Sequence, residues 1–281
     1  MFTLNCRGRL WVIDKPLVMG IINATPDSFY EGSRFSGTDK ILLQAEKMIE
    51  AGADIIDIGG QSTRPGSEQI SDEEELKRVI DGIKAIHQSF PETIISIDTY
   101  YATVAGESVE AGAHIINDIS AGKMDELMLS TVAALKVPYT AMHMKGTPQT
   151  MQTHASYDNI SLEVLDFFIQ KKDECHKAGI NDIIIDPGFG FAKTIDGNFE
   201  LLKNLSIFKT LDAPLLVGLS RKSAIYKTLD ISIEEALNGT TVLHTIALMN
   251  GANILRVHDV KQAKEATRLC GLVLDSKPAT K

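Results

Sequence analysis

The chain has 281 residues, 44% of them hydrophobic and 23% charged, so it can bury a full core without disulfides. Its formal net charge of −9, with no lysine- or arginine-rich run, argues against nucleic acid as a partner. Its longest apolar runs, such as Ala213–Leu219, fall far short of the roughly 20 residues that span a bilayer; no membrane association is expected.

No signal peptide is visible at the N-terminus. Three cysteines, Cys6, Cys175 and Cys270, suit neither a disulfide framework nor a zinc cluster. A cytoplasmic protein with reduced thiols is the expectation. Residues 1–13 read as a β-hairpin turning at Arg7-Gly8, with Trp11 in a plug over one end of the domain.

From Leu17 onward one rhythm recurs: a β-branched apolar run, a polar glycine-bearing loop, then a stretch with helical spacing. The strands are expected at Leu17–Asn23, Asp54–Ile58, Thr93–Asp98, His114–Asp118, Pro138–Met142, Asp182–Asp186, Leu215–Gly218 and Ile254–Val257. The helices between and after them are expected at Thr38–Ala51, Ser71–Gln88, Thr103–Ala111, Asp125–Leu135, Ser161–Ala178, Asn198–Phe208, Ser232–Asn250 and Asp259–Leu274. Strands apolar on both faces that alternate with helices form a parallel sheet covered by helices. Eight repeats of this length predict one (β/α)8 TIM barrel over residues 1–275, capped at its N-terminal mouth by the hairpin and followed by a flexible tail, 276–281.

In such a barrel the C-terminal strand ends converge on one pocket. Here those ends carry Asn23, Ser62-Thr63-Arg64, Asp98, Asn117-Asp118, Met142-His143-Met144, Asp186, Ser220-Arg221-Lys222-Ser223 and Arg256-Val257-His258-Asp259. Taken singly, several have a plainer use. Asp98, Asp118 and Asp259 suit helix N-caps, Asn117 suits a turn, and Arg256 suits an acidic neighbour within the barrel. Asp186 precedes Pro187-Gly188, where no helix begins, so capping does not explain it.

The positive side chains Arg64, Arg221, Lys222, Arg256 and His258 also gather on this face of an acidic chain. The loop Gly59–Gly66 adds glycines and hydroxyls that suit a phosphate or diphosphate. Asn23 alone is a poor metal site, but Mg2+ keeps its waters and is often held by substrate phosphates, so one protein oxygen is enough. Lys222 could in principle form a Schiff base, its pKa lowered by Arg221.

The motifs Asn23–Phe29, Asp57–Gly66, Ser96–Thr99, Ile116–Ile119, Met142–Met144, Gly146–Pro148, Asp186–Phe191, Gly218–Ser223 and Arg256–Val260 together resemble the dihydropteroate synthases. That family joins 4-aminobenzoate to 6-hydroxymethyl-7,8-dihydropterin diphosphate in folate synthesis, and sulfonamides mimic the aminobenzoate. The resemblance implies that Thr63, Asp98, Asn117, Asp186, Lys222, Arg256, Val257 and His258 bind the pterin diphosphate. It implies that Phe29, Arg64, Pro65, Phe191 and Ser223 bind 4-aminobenzoate, and that Asn23 holds Mg2+. Asp98, Lys222, Arg256 and His258 take the catalytic roles. Loops 24–37 and 59–70 are expected to act as lids, although Phe29–Ser33 departs from the usual family pattern. Family members are usually homodimers, paired through late helices, and the apolar stretch Ala236–Met249 is compatible with that.

Two rivals arise from the same residues. A pterin-binding methyltransferase would need neither the Ser62–Gly66 loop nor Ser220–Lys222, and a non-catalytic pterin-binding paralogue would not need Lys222, Arg256 and His258. All are present.

Overall fold

The computed structural model describes residues 1–25, 37–62 and 66–276. The first-loop residues 26–36, with Phe29, the stretch Thr63-Arg64-Pro65 and the tail from 277 lie outside the described residues. Strands β1 (Phe2–Cys6) and β2 (Arg9–Ile13) form an antiparallel hairpin, with Arg7 and Gly8 both at positive φ in its turn. Eight parallel strands come next: β3 (Leu17–Asn23), β4 (Ile55–Gly59), β5 (Ile94–Asp98), β6 (Ile115–Asp118), β7 (Tyr139–Met142), β8 (Ile183–Asp186), β9 (Leu216–Val217) and β10 (Ile254–Val257). They run in the order β8-β7-β6-β5-β4-β3-β10-β9, and a parallel bridge from Ile185 to Leu215 closes the ring.

Side chains on a strand alternate between its two faces. Ile55, Ile94, Ile115, Ile184, Leu216 and Ile254 point into the lumen and pack against Leu4, Cys6 and Ile13 of the hairpin, with Phe2 and Trp11 at the edge. The hairpin is therefore the expected plug. The opposite strand faces pack Val18, Ile56, Ile95, Ile116, Ile185, Val217 and Leu255 against the helices in the main core.

The covering helices are α1 (Gly37–Glu50), α2 (Asp72–Ser89), α3 (Ala102–Ala111), α4 (Met128–Leu135), α5 (Ile160–Ala178), α6 (Ile195–Lys203), α7 (Ser223–Leu229), α8 (Leu237–Met249) and α9 (Val260–Asp275). Several begin where the sequence supplies a cap: Ser71, Asn159 and Thr194 each accept a backbone N–H of the first turn. Gly112 and Gly179 end α3 and α5 at φ 128° and 97°, which a residue with a Cβ would adopt at a cost.

The structure corrects two expected helices and adds one. The run expected at 198–208 splits at Asn204 into α6 and a 3-10 segment, Leu205–Leu211. The one expected at 232–250 begins as a 3-10 turn, Glu234–Ala236, before α8. Helix α7, seven residues long, has no counterpart in the expected set.

One buried group is out of keeping with the rest. Glu75 on α2 is fully buried, and neither carboxylate oxygen has a hydrogen-bond partner among the described residues. Burial, then the charge of Asp98, pushes its pKa up from 4.5 to about 8. A carboxyl raised on folding costs stability as pH climbs from the unfolded value to the folded one. Glu75→Gln should therefore stabilise the fold by about 3.5 kcal/mol more at pH 7.5 than at pH 4.5. Urea unfolding at the two pH values measures this; an equal effect at both would mean that Glu75 ionises normally when folded.

Candidate active site

The lumen is apolar at the hairpin end and polar two residues further along five of the strands. Ile55 is followed on the same face by Asp57, Ile94 by Ser96 and Asp98, Ile115 by Asn117, Ile184 by Asp186 and Ile254 by Arg256. Strand register brings these together: Gly59 pairs with Asp98, Asp98 with Asn117, Asn117 with Thr140, and Met142 with Asp186. Residues separated by up to 199 positions thus meet at one mouth.

At its centre Arg256 bridges two carboxylates. Its Nε donates to Asp57 Oδ2 at 2.6 Å and its Nη2 to Asp98 Oδ2 at 2.5 Å. Asn117 Nδ2 lies 3.3 and 3.4 Å from the two Asp57 oxygens. Burial pushes the Asp98 carboxyl up, and Arg256 holds it back against the further push of Asp57, Asp118 and Asp186. Burial opposes the Arg256 charge, but Asp57 and Asp98 outweigh it and the guanidinium stays firmly protonated. Nη1 of Arg256 has no hydrogen-bond partner among the described residues and is free to meet an anion.

Asp57 was not singled out from the sequence. Its signal was present: a carboxylate inside the apolar run Ile55–Gly59, in phase with Asp98 and Asn117 on the lumen face. The capping alternative fails for Asp98, because α3 begins after Tyr101 and Asp98 is committed to Arg256. It fails for Asp118 as well: α4 begins only at Met128, and the Asp118 oxygens accept instead from Ser120 N, Ser120 Oγ and Gly122 N in the turn after β6 and from the Tyr139 hydroxyl.

Asp186 is 6% exposed, and its Oδ1 accepts from Gly188 N at 2.8 Å. Burial raises its pKa while Lys222 pulls it down. Lys222 is held on the turn after β9, where its ammonium donates to the Phe189 carbonyl and sits 4.8 Å from the centre of the Phe191 ring. Burial lowers Lys222 to about 8, opposed by Asp186 and assisted by Arg256.

Arg221, expected to lower it, instead turns away. It forms a bidentate pair with Asp259, 2.9 Å at each contact, and donates to the carbonyls of Ile233 and Glu234. Arg221 and Asp259 thus tie the β9 and β10 loops together and leave the positive cluster of the mouth.

Ser223 opens α7, directly after Lys222. His258 is exposed at the end of β10, its N and Nδ1 each 3.2 Å from Ser220 Oγ. Val257 is fully buried in the core outside the barrel, so only its backbone is at the mouth. Phe29, Thr63, Arg64 and Pro65 lie outside the described residues. In the second loop and beside it, Ser67 Oγ donates to Ser62 O, Gln149 Nε2 to Ser67 O, and Gln61 Nε2 to the Tyr100 hydroxyl.

For a metal, no group of three or more His, Cys, Asp or Glu side chains is gathered as a cage among the described residues. Asn23 ends β3 exposed at the mouth, in register with Gly59 and, through it, with Asp98. One neutral oxygen donor beside an anion-binding mouth fits a hard cation that keeps its waters and takes phosphate oxygens; it does not suit zinc.

Comparison with known proteins agrees with this geometry. The model of the pterin binding enzyme family matches residues 19–258. The dihydropteroate synthase of Escherichia coli K12 is 45% identical over 276 residues, covering 98% of this chain and 97% of its own. Among solved structures, the dihydropteroate synthase of Xanthomonas albilineans with 4-aminobenzoic acid superposes with a TM-score of 0.92 at 37% identity, covering 98% of this chain and 99% of the other. The same enzyme in complex with 7,8-dihydropteroate gives 0.89 at 35% identity, covering 98% and 100%.

Proposed function

We propose a division of labour among the barrel-mouth side chains from one premise: the chain belongs to the dihydropteroate synthase family. The reaction joins 4-aminobenzoate to 6-hydroxymethyl-7,8-dihydropterin diphosphate, giving 7,8-dihydropteroate and diphosphate. The observation that carries the assignment is the convergence of Asp98, Asn117, Asp186, Lys222 and Arg256 from five parts of the barrel on one lumen.

The pterin presents a 2-amino group beside a ring N–H, and an ionised carboxylate can accept both. Asp186 fills that role, with one oxygen steadied by Gly188 N. Asn117 donates and accepts along the remaining ring edge, and Lys222 donates to a ring oxygen or nitrogen. The bond between the methylene carbon and the diphosphate oxygen breaks early, leaving a cation spread into the ring. Asp98 supplies fixed negative charge beside it.

The neutral aromatic amine then forms the new C–N bond and releases its proton, so no strong base is required. Arg256 and His258, with Thr63 and Arg64 from the second loop, hold the departing diphosphate; Mg2+ on Asn23 would neutralise part of its charge. The aminobenzoate ring rests against Phe191, its carboxylate toward Ser223; Phe29 and Pro65, which the family resemblance adds to this subsite, lie outside the described residues.

The test mixes the purified chain with both substrates, with and without Mg2+, following diphosphate and dihydropteroate together. Equal, Mg2+-dependent formation of the two is expected, with activity falling above about pH 8 as Lys222 loses its proton. Full activity in a chelator would remove Mg2+ from the scheme. Tight pterin binding with no diphosphate released would overturn the catalytic roles in favour of a non-catalytic pterin-binding protein.

A homodimer is part of the same reading. Helices α8 and α9 carry a groove lined by Thr241, Thr245, Met249, Leu269, Cys270 and Val273, with Met249, Leu269 and Val273 exposed. Sedimentation at twice the chain mass is expected; a monomer at micromolar concentration would reject it. No described helix is long and apolar enough to cross a membrane. A cytoplasmic site of action agrees with three free, buried cysteines.

A further inference from the structure

We infer that Lys193 is a positioning residue for the aminobenzoate subsite: its buried ammonium ties the Phe191 backbone to His143 and so sets the Phe191 ring beneath Lys222. Lys193 and His143 are each 4% exposed. Lys193 Nζ lies 3.0 Å from the Phe191 carbonyl, 3.3 Å from the His143 carbonyl and 3.1 Å from His143 Nδ1. An ammonium has three N–H donors and no acceptor, so these three acceptors use all of them. Nδ1 accepts only in a neutral imidazole protonated at Nε2. Burial, aided by the charge of Lys193, holds His143 neutral by lowering it to about 2.

The segment that Lys193 holds has no slack. Gly188, Gly190 and Ala192 all stand at positive φ, 71°, 81° and 49°, and Ala192 carries a steric penalty there. A Cβ at Gly188 would lie 2.1 Å from the His143 carbonyl oxygen, so the β8 loop presses directly on the β7 loop. Neighbouring ties hold other atoms: Tyr157 donates to the Ala192 carbonyl at 2.9 Å, and Asn198 Oδ1 accepts from Gly190 N at 2.7 Å. Lys193 is the side chain that holds the carbonyl of Phe191 itself. An apolar residue would fill the same buried space without the desolvation cost of an ammonium. That cost is visible in Lys193, lowered to about 7 by burial even with Asp186 opposing.

This inference rests on the reading of Phe191 and Ser223 as the aminobenzoate subsite, and the test separates the two. Steady-state kinetics on the full chain compare Lys193→Met, Lys193→Gln and Phe191→Ala. Lys193→Met should raise KM for 4-aminobenzoate about tenfold, leaving kcat and KM for the pterin diphosphate within about twofold. Lys193→Gln, which keeps N–H donors for a carbonyl, should recover part of the loss.

If Phe191→Ala raises the aminobenzoate KM but Lys193→Met leaves it unchanged, or shifts both KM values alike, the positioning role is wrong and the subsite stands. If Phe191→Ala itself has no effect on that KM, the subsite reading falls and the inference with it. Should Lys193→Met fail to fold, Lys193→Gln is judged alone, and an unchanged aminobenzoate KM overturns the role.

Discussion

Replacing Arg256 with methionine is expected to lower kcat/KM at least about a thousandfold and to destabilise the fold by about 3–5 kcal/mol. The two effects have different causes, and the loss of stability comes from buried charge. Asp57 is wholly buried and Asp98 nearly so, and Arg256 is the cation in contact with both. Without it, among the described residues Asp57 keeps only the long contacts from Asn117 Nδ2, and Asp98 keeps the repulsion of Asp57, Asp118 and Asp186. One partner removed from a buried ion-pair network leaves an uncompensated charge, which costs far more than the pair itself contributes.

Turnover suffers separately, because in the proposed scheme the guanidinium holds the departing diphosphate. Adding Asp57→Asn to Arg256→Met should therefore restore much of the stability and none of the turnover. Denaturant unfolding and initial rates on the single and double variants measure both arms. Parallel recovery of both would mean that Arg256 acts only through the fold; no recovery of stability would mean that Asp57 is not the charge left stranded.

Much of this arrangement was legible in the sequence because a parallel barrel writes its lumen at every second residue. The apolar strands, the hairpin plug and the polar strand ends of Asp98, Asn117, Asp186 and Arg256 all obey that period. Asp57 sits in the same phase but inside a strand, whereas the polar groups that stand out in the sequence are those at strand ends. Lys193 and the pairing of Arg221 with Asp259 were invisible for another reason. Both depend on loops whose path is set by residues at positive φ and by contacts 38 to 50 positions away, and no local periodicity reports these.

The helix errors are of a third kind. Helix α7 lies between Arg221 and Asp230, both left-handed, and its seven residues are too few for an apolar stripe to stand out. The run 198–208 keeps its apolar spacing across Asn204 while the backbone tightens there into a 3-10 segment, so pattern alone could not place the break.

Changing Asp186 to asparagine is the sharpest test of pterin recognition. The amide oxygen can still accept from Gly188 N, so the β8 turn keeps its anchor and the fold should survive. What changes is the other atom: in the proposed pose an acceptor oxygen becomes an NH2 group facing the 2-amino group and ring N–H of the pterin. A buried donor set against donors loses two hydrogen bonds and gains a repulsion. The expected fall in kcat/KM for the pterin diphosphate is on the order of a thousandfold. Stability should hold or rise, since a carboxyl driven upward by burial has been removed.

A second readout ties the effect to the site. The charge of Asp186 supports the ammonium of Lys222 against burial, so its loss should lower the Lys222 pKa below about 8 and move the alkaline limb of the rate profile to lower pH. Rates measured across pH 6–9 for the chain and the variant decide this. A loss under about tenfold would remove Asp186 from pterin recognition. A large loss with an unmoved alkaline limb would leave Asp186 in place and show that Lys222 is not the group titrating there.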